Sequence, residues 1–517
     1  MGDPDKEWDF YLRTLSSSAR DSNLASDPAS DPSLLNSVRK LCQLCKAENS
    51  EDLVARVYPH FNKLFQRSVA SLPQSKSSYG LLLLDIIQFF LDFGEIVLHD
   101  ADPSLRSFFR SCLSREFADL TVAEATLHFL NVNKKRLLAS FPALLPQFFP
   151  LLLKLIAWNG EKLLNSFLKV FPELISPASF LPLFPSLVDL PMLVVALERV
   201  ERSSGSLIGS SIASIQNTTA PEMLLALMDE AYTGSTIGDG GAGSESEDIN
   251  AIDSADPLFL ELLKDENDGL AERHRTSPSM AAALQAAVNV PQTDRLKQSL
   301  KIGPALLDVY CALAIRDVND SLICALIPLI MARNDVLFPD KNYSYQVRKR
   351  LLEFMLASFQ RSPNFIALLK KPIMDRLGEA YDSSAKTELA LQLCWAIGEH
   401  GGGGASHKDA ARELFENLEL LLYENLSSSN IRLQVARSRI SDVRVWRRAR
   451  DYLGLIDDPA ISLSVLGPSQ GHVQKPGTVN WRDGGTKMIA HIPFYLLGEQ
   501  EGSPFHDFSF SDIFPRT

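Results

Sequence analysis

The sequence predicts an all-α protein: a HEAT/armadillo-like α-solenoid of helix hairpins with one long flexible loop and an irregular C-terminal tail. Three observations predict it. Apolar residues recur three or four positions apart through most of the chain, the period of a helix with one buried face. Alternating strand patterns are hard to find. Apolar segments of roughly 10–20 residues are separated by short turns rich in Pro, Ser, Asn and Gly, the layout of helix hairpins stacked side by side.

Residues 1–36 form a polar N-terminal segment. Its opening, "MGDPDKEW", is acidic and carries no signal-peptide pattern. Myristoylation of Gly2 would favour Ser or Thr at the sixth position, where Lys6 stands. Residues 37–202 read as an N-terminal α-solenoid. There Val38, Leu41, Cys42 and Cys45 share a helical face, so the Cys-x-x-Cys reads as core packing. Zinc would need a second ligand pair nearby, and redox chemistry a thioredoxin-like strand and helix. The most apolar stretches, Leu81–Leu98 and Ala143–Trp158, are core helices and not membrane spans. The first carries Asp85, Asp92 and Glu95; the second carries Gln147, Lys154 and two prolines. Trp158 closes that second helix as a packing residue. From Glu161, the residues Leu164, Phe167, Leu168, Phe171, Leu174 and Ile175 line one helical face. "FPALLPQFFPLLLKLIAWN" is echoed by "FPELISPASFLPLFPSLVDLP", with a period too irregular for ankyrin or tetratricopeptide consensus patterns and closer to a degenerate HEAT-like repeat.

Residues 203–256 interrupt the pattern. Apart from one short helix near Pro221–Tyr232 the composition is low in complexity ("TGSTIGDGGAGSESED") and predicts a flexible loop. Gly238, Gly240 and Gly243 match G-x-G-x-x-G there. The flanks lack the strand and helix that a dinucleotide site requires, and their acids would repel a pyrophosphate.

Helical periodicity resumes as a C-terminal α-solenoid over 257–466, with Leu351, Met355, Phe359 and Leu377 among its buried positions. In "LALQLCWAIGEHGGGG", Leu389, Leu393 and Ile397 form a stripe beside Trp395, and Gly401 is placed for a left-handed helix cap. Ser406 and Asp409 resemble a capping box opening the next helix. No Lys-Ser or Lys-Thr follows the glycines, which removes the phosphate-loop reading. Glu399, His400 and His407 make a weak metal pattern. Between Arg432 and Arg450 stand seven arginines against one acid, Asp442. Arg437, Arg444, Arg447 and Arg448 are the candidate face for lipid headgroups or a partner. Residues 467–517 are an irregular, Phe-rich tail holding Phe510-Ser-Asp512-Ile-Phe514. These phenylalanines either bind a partner's pockets, with Asp512 on a basic rim, or fold back on the solenoid as a clamp.

Composition narrows the function. A chain of 517 residues exceeds one domain, and 45% hydrophobic residues suffice for a sizeable core. The formal charge of −12 (51 basic, 63 acidic residues) argues against a nucleic-acid binder. Six cysteines scattered among apolar neighbours predict a reduced, intracellular, soluble protein. No catalytic triad, paired-carboxylate or metal constellation emerges from the nine dispersed histidines and their neighbours, so neither a cofactor nor an enzyme is expected.

Several segments resemble a known family. "WAIGEHG" (Trp395–Gly401) is similar to the W-x-I-G-E-Y-G signature of large adaptin subunits, with His400 in place of Tyr. "LLLKLIAWNGEKLLNSFLKVFPELI" followed by "LVDLPMLVVALERV", together with "ARNDVLFP" and "SVRKLCQLCKAENSEDL", resembles the zeta subunits of the fifth adaptor-protein complex. The resemblance runs from about Ser37 to Leu426, to a shortened trunk without an appended ear domain. It implies a non-enzymatic structural subunit of a heterotetrameric adaptor, assembled with beta-type large, medium and small subunits. Such an adaptor acts in cargo sorting at late endosomes, peripherally on the membrane through partners, and is associated with spatacsin- and spastizin-like proteins. Two other classes stand beside it: a helical-repeat scaffold such as a nuclear transport or assembly factor, and an enzyme whose site is assembled across repeats.

Overall fold

Helix boundaries follow the local chemistry of the chain. The computed structural model describes residues 8–15, 32–48, 50–73, 78–203, 208–212, 257–267 and 278–379, with 386, 389, 390, 393 and 396. Among them secondary structure is helical and no strand occurs. The helices are α1 (8–15), α2 Pro32–Glu48, α3 Glu51–Ser71, α4 Gly80–Val97 and α5 Ala101–Ser107. A π-helical turn, Phe108–Leu113, leads into α6 Ser114–Glu116, followed by α7 Leu120–Ser140, α8 Leu144–Asn159 and α9 Glu161–Val170. A 3₁₀ turn, Phe171–Leu174, precedes α10 Phe180–Val188, α11 Leu190–Ser203, α12 (208–212), α13 Pro257–Leu262, α14 Pro278–Asn289 and α15 Asp294–Asp317. Next come α16 Asp320–Arg333, α17 Lys341–Arg361, α18 Asn364–Leu368 and α19 Lys370–Gly378.

The chain divides into two units, Met1–Tyr310 with Phe338–Ser344, and Cys311–Leu337 with Tyr345–Thr517. Residues 257–310, assigned from sequence to the C-terminal solenoid, thus pack with the first unit.

In the first unit, short polar side chains start the helices by accepting their free amide N–H groups. Ser50 accepts from Leu53 N at α3, and Asp119 from Thr121 N and Val122 N at α7. α4 is capped from a distance. The buried Glu116 carboxylate accepts from Ser78 Oγ at 2.7 Å and from Tyr79 N and Gly80 N at 2.9 Å. Its far end turns on Leu98, in the left-handed conformation (φ 52°), where His99 N donates to Gly94 O at 2.8 Å. Leucine takes the place usually held by glycine.

Packing runs from each helix to its near neighbours, as a solenoid requires. α4 lies against α2, α3 and α7; α9 lies against α7 and α8; α11 lies against α8. Ion pairs record the register of α2, α4 and α7: Arg39–Asp85 at 2.8 Å, Lys46–Asp92 at 2.7 Å and Arg136–Asp92 at 3.5 Å. Val38, Leu41 and Cys45 are buried and Cys42 half-buried. Burial pushes both thiols upward, Cys45 to about 12, which is the chemistry of core cysteines.

The stripe after Glu161 is not one continuous helix. Leu163, Phe167 and Val170 are the buried side chains of α9, and Leu164 and Leu168 are half-buried. Pro172 has no N–H to continue the α-helical ladder, so the chain tightens into the 3₁₀ turn. α10 is then pinned at both ends by tyrosines. Tyr310 donates to Phe180 O at 2.9 Å and Tyr343 to Val188 O at 2.7 Å.

In the second unit, Arg361 donates to Ile315 O at 2.6 Å and Val318 O at 2.9 Å and pairs with Asp320. It thereby satisfies the carbonyls left open where α15 ends. Arg333 and Asn334 of "ARNDVLFP" are buried; Asn334 O accepts from Arg348 Nε, and Asp335 pairs with Arg376 at 3.2 Å. Leu389 and Leu393 are helical and buried. Among the described residues no single helix is long and apolar enough to cross a membrane; Leu144–Asn159 is a buried core helix, and only the bent pair Phe180–Val188 and Leu190–Arg202 meets the length and composition together.

Candidate partner-docking site

Helix α8 carries a proline inside a fully apolar run. Pro150 has no N–H for the carbonyl of Pro146, and its ring pushes that turn apart. The exposed backbone groups are met by a segment more than a hundred residues away. Asn267 N donates to Gln147 O at 2.7 Å, Leu151 N to Asp265 O at 3.3 Å, and Asn267 Nδ2 to Pro146 O at 3.4 Å. Residues 263–267, "LKDEN", therefore lie across the Pro150 turn of α8 as a strap.

Lys154 stands one turn beyond Pro150, its side chain only 1% exposed. Its ammonium donates to Leu263 O and pairs with Asp265 Oδ1 at 2.7 Å, and it sits 5.9 Å from the centre of the Phe117 ring. A charge so buried persists only with such partners. The outer edge of the strap is held by a second pair. Arg110, on the π-helical turn, grips Glu266 in a two-point contact (Nε 2.6 Å, Nη2 3.0 Å), and Gln147 Nε2 donates to the same carboxylate at 2.5 Å. Gln147 Oε1 in turn accepts from Arg106. The hydrogen bond from Arg110 holds the Glu266 carboxyl below its usual range, with Gln147 and Arg106 adding to it against partial burial. The π-helical turn also aims Phe109 at Phe148 of α8, the rings stacked with centroids 4.9 Å apart. Before the strap, α13 packs on α11, and Phe259, Leu262 and Leu263 are buried.

At the end of α8, Trp158 is buried beneath Arg295, whose guanidinium lies 3.7 Å from the ring centroid, with Phe117 edge-on. Gly160 (φ 65°) makes the sharp turn into α9, and a Cβ there would collide with Gln298 Oε1, which accepts from Glu161 N at 3.0 Å. Beside Arg295 is a polar depression of about 330 Å³ lined by Glu198, Glu201, Arg202, Thr293, Asp294 and Arg295. Its charges are already engaged: Arg295 with Glu201 at 2.7 Å, Arg202 with Glu198 at 3.8 Å, and Thr293 Oγ1 with Glu198 at 2.6 Å. It offers anchoring, not chemistry.

Of the residues singled out from sequence, Trp158 lies in the core next to this site. Trp395, Gly401, Arg437, Arg444, Arg447, Arg448, Phe510, Asp512 and Phe514 lie outside the described residues, as do the glycine fingerprint and the Pro221–Tyr232 segment. The strap's receptor went unseen in the sequence. Its signal was present: Gln147 and Lys154 interrupt an otherwise apolar helix that also holds two prolines.

Compared with known proteins, residues 29–154 match a family model described as an AP-5 complex subunit in vesicle trafficking. Residues 245–441 match one described as the C-terminal TPR repeats of AP-5 complex subunit zeta-1. AP-5 complex subunit zeta-1 of Mus musculus is 25% identical over 401 residues, covering 75% of this chain and 45% of the relative. The Homo sapiens protein of the same name is 25% identical over 348 residues, covering 66% and 39%. The chain thus spans less than half the length of these curated relatives. No solved structure matches it. Lys154 ends the first matched segment and the strap lies within the second.

Proposed function

Because the chain belongs to the family of AP-5 complex subunit zeta-1, we propose that it is a non-enzymatic structural subunit of an adaptor complex in vesicle trafficking. The observation that carries this is the pair of family matches, residues 29–154 and 245–441, the second described as the C-terminal repeats. The helical-repeat architecture supports it, since stacked helix pairs present long continuous surfaces to other subunits. In this reading the partners are a beta-type large, a medium and a small subunit, with spatacsin- and spastizin-like proteins as further associates. The place of action is the cytoplasmic face of late endosomes and lysosomes, where cargo is sorted without nucleic acid or cofactor.

A tagged pull-down of the full chain with mass spectrometry tests the reading. Adaptor subunits recovered in comparable amounts support it; nuclear transport receptors in their place overturn it. Two sequence features join the proposal as contact points, the basic face of Arg437, Arg444, Arg447 and Arg448 and the tail residues Phe510, Asp512 and Phe514. Replacing Phe510 and Phe514 by Ala separates the tail's two roles. Lost thermal stability of the isolated chain marks a clamp, a lost partner at unchanged stability marks a recognition peptide, and no change in either removes both.

A further inference from the structure

We propose that the Pro150 turn of α8 is an exchangeable peptide-docking site: residues 259–267 occupy it in cis, and an acidic segment of a partner protein, an apolar turn followed by Asp-Glu, takes it in trans. The receptor is built for that chemistry. Two cations converge on it, Lys154 from α8 and Arg110 from the π-helical turn, each holding one strap carboxylate. Backbone groups around Pro150 hydrogen-bond an extended chain at Leu151 N and Gln147 O, and this recognition does not depend on the occupant's side chains.

The burial pattern favours exchange over simple release. With the strap in place Lys154 is 1% exposed, and a departing strap takes away both the carbonyl and the carboxylate that hold its ammonium, which is unfavourable. An incoming carboxylate keeps the pairing throughout. The outer pair is the entry point. Arg110 and Glu266 are 51% and 29% exposed, open to an approaching acid while Asp265 still holds Lys154. The cis segment also fits imperfectly at its end. Among the described residues Asn267 Oδ1 is buried with no hydrogen-bond donor, and its Nδ2 reaches Pro146 O and Ala178 O only at 3.4 and 3.5 Å. The two carbonyls converge on one side chain, so a donor-only residue, Lys or Arg, after the Asp-Glu pair would satisfy both. The fitting occupant is thus an apolar turn followed by Asp-Glu-Lys or Asp-Glu-Arg.

The probe is a fluorescein-labelled peptide of the chain's own residues 257–267, titrated by fluorescence anisotropy into the full chain and into the E266A/N267A variant. That variant loosens the outer strap and leaves Asp265 on Lys154. The expected result is binding to the variant at least tenfold tighter than to the unaltered chain, with competition by unlabelled peptide and none by the Asp→Asn, Glu→Gln peptide. Adding R110A to the variant should weaken the binding. Equal affinity for both chains, no binding to a folded variant, or binding indifferent to the two acids overturns the proposal. If circular dichroism shows E266A/N267A unfolded, the isosteric E266Q replaces it and is read the same way. The result does not depend on the adaptor reading, which the pull-down decides separately.

Discussion

Leu98 holds a conformation that costs an L-residue roughly 1–2 kcal/mol, yet its side chain is 93% exposed and recovers nothing by burial. Leu98→Gly should therefore raise stability by about 1 kcal/mol, read as a higher urea midpoint at unchanged slope. Trp158 is the opposite case. Truncation to Ala removes the face under Arg295 and the edge against Phe117, and should lower stability by ~3–5 kcal/mol in the same measurement. The Lys154–Asp265 pair predicts non-additivity. Asp265→Ala alone strands a buried ammonium and should cost about 3 kcal/mol. Adding Lys154→Met to it should recover much of that loss, and a double-mutant cycle with a coupling energy near zero would contradict the geometry.

Among elements, the two polar devices that tie distant helices behave differently. Glu116 caps α4 with one carboxylate serving two backbone amides, so Glu116→Ala should cost about 2–3 kcal/mol through the N–H groups left buried, and Glu116→Gln less, since an oxygen acceptor remains. The strap should respond to acid. Glu266 has a folded-state pKa below its ordinary 4.5, so its stabilisation is complete above that value and is lost as pH falls through the lower, folded one. Amide-exchange protection at Leu151 should accordingly fall below about pH 4.5, and E266Q should remove that dependence; protection unchanged down to pH 3 would rule out Glu266 as the strap's anchor. The same two elements mark how much was legible beforehand. α2 was readable because its buried face repeats with the helical period and its cysteines fell on that side, and α4 and α8 because they are long, almost wholly apolar runs. The end of α9 was missed because the apolar stripe outlasts its ladder: Phe171 and Leu174 stay buried after Pro172 has stopped the α-helix. The strap was illegible for a different reason. Its partners, Lys154 and Asp265, are 111 positions apart, and within either segment the polar residue looks like an interruption instead of half of a pair.

At the scale of the whole molecule, the strap makes the two family-matched segments interdependent. Residues 29–154 supply the Pro150 turn and its lysine, and residues 245–441 supply the chain that covers it. That arrangement sets a schedule during synthesis. The ribosome must add a further 111 residues after Lys154 before Asp265 exists, roughly 5–20 s at ordinary elongation rates. For that interval the nascent N-terminal helices hold an ammonium with no carboxylate and a proline turn with no cover. A growing chain in this condition is a natural client for a ribosome-associated chaperone, and the last of its early helices settles only when a much later stretch emerges from the exit tunnel.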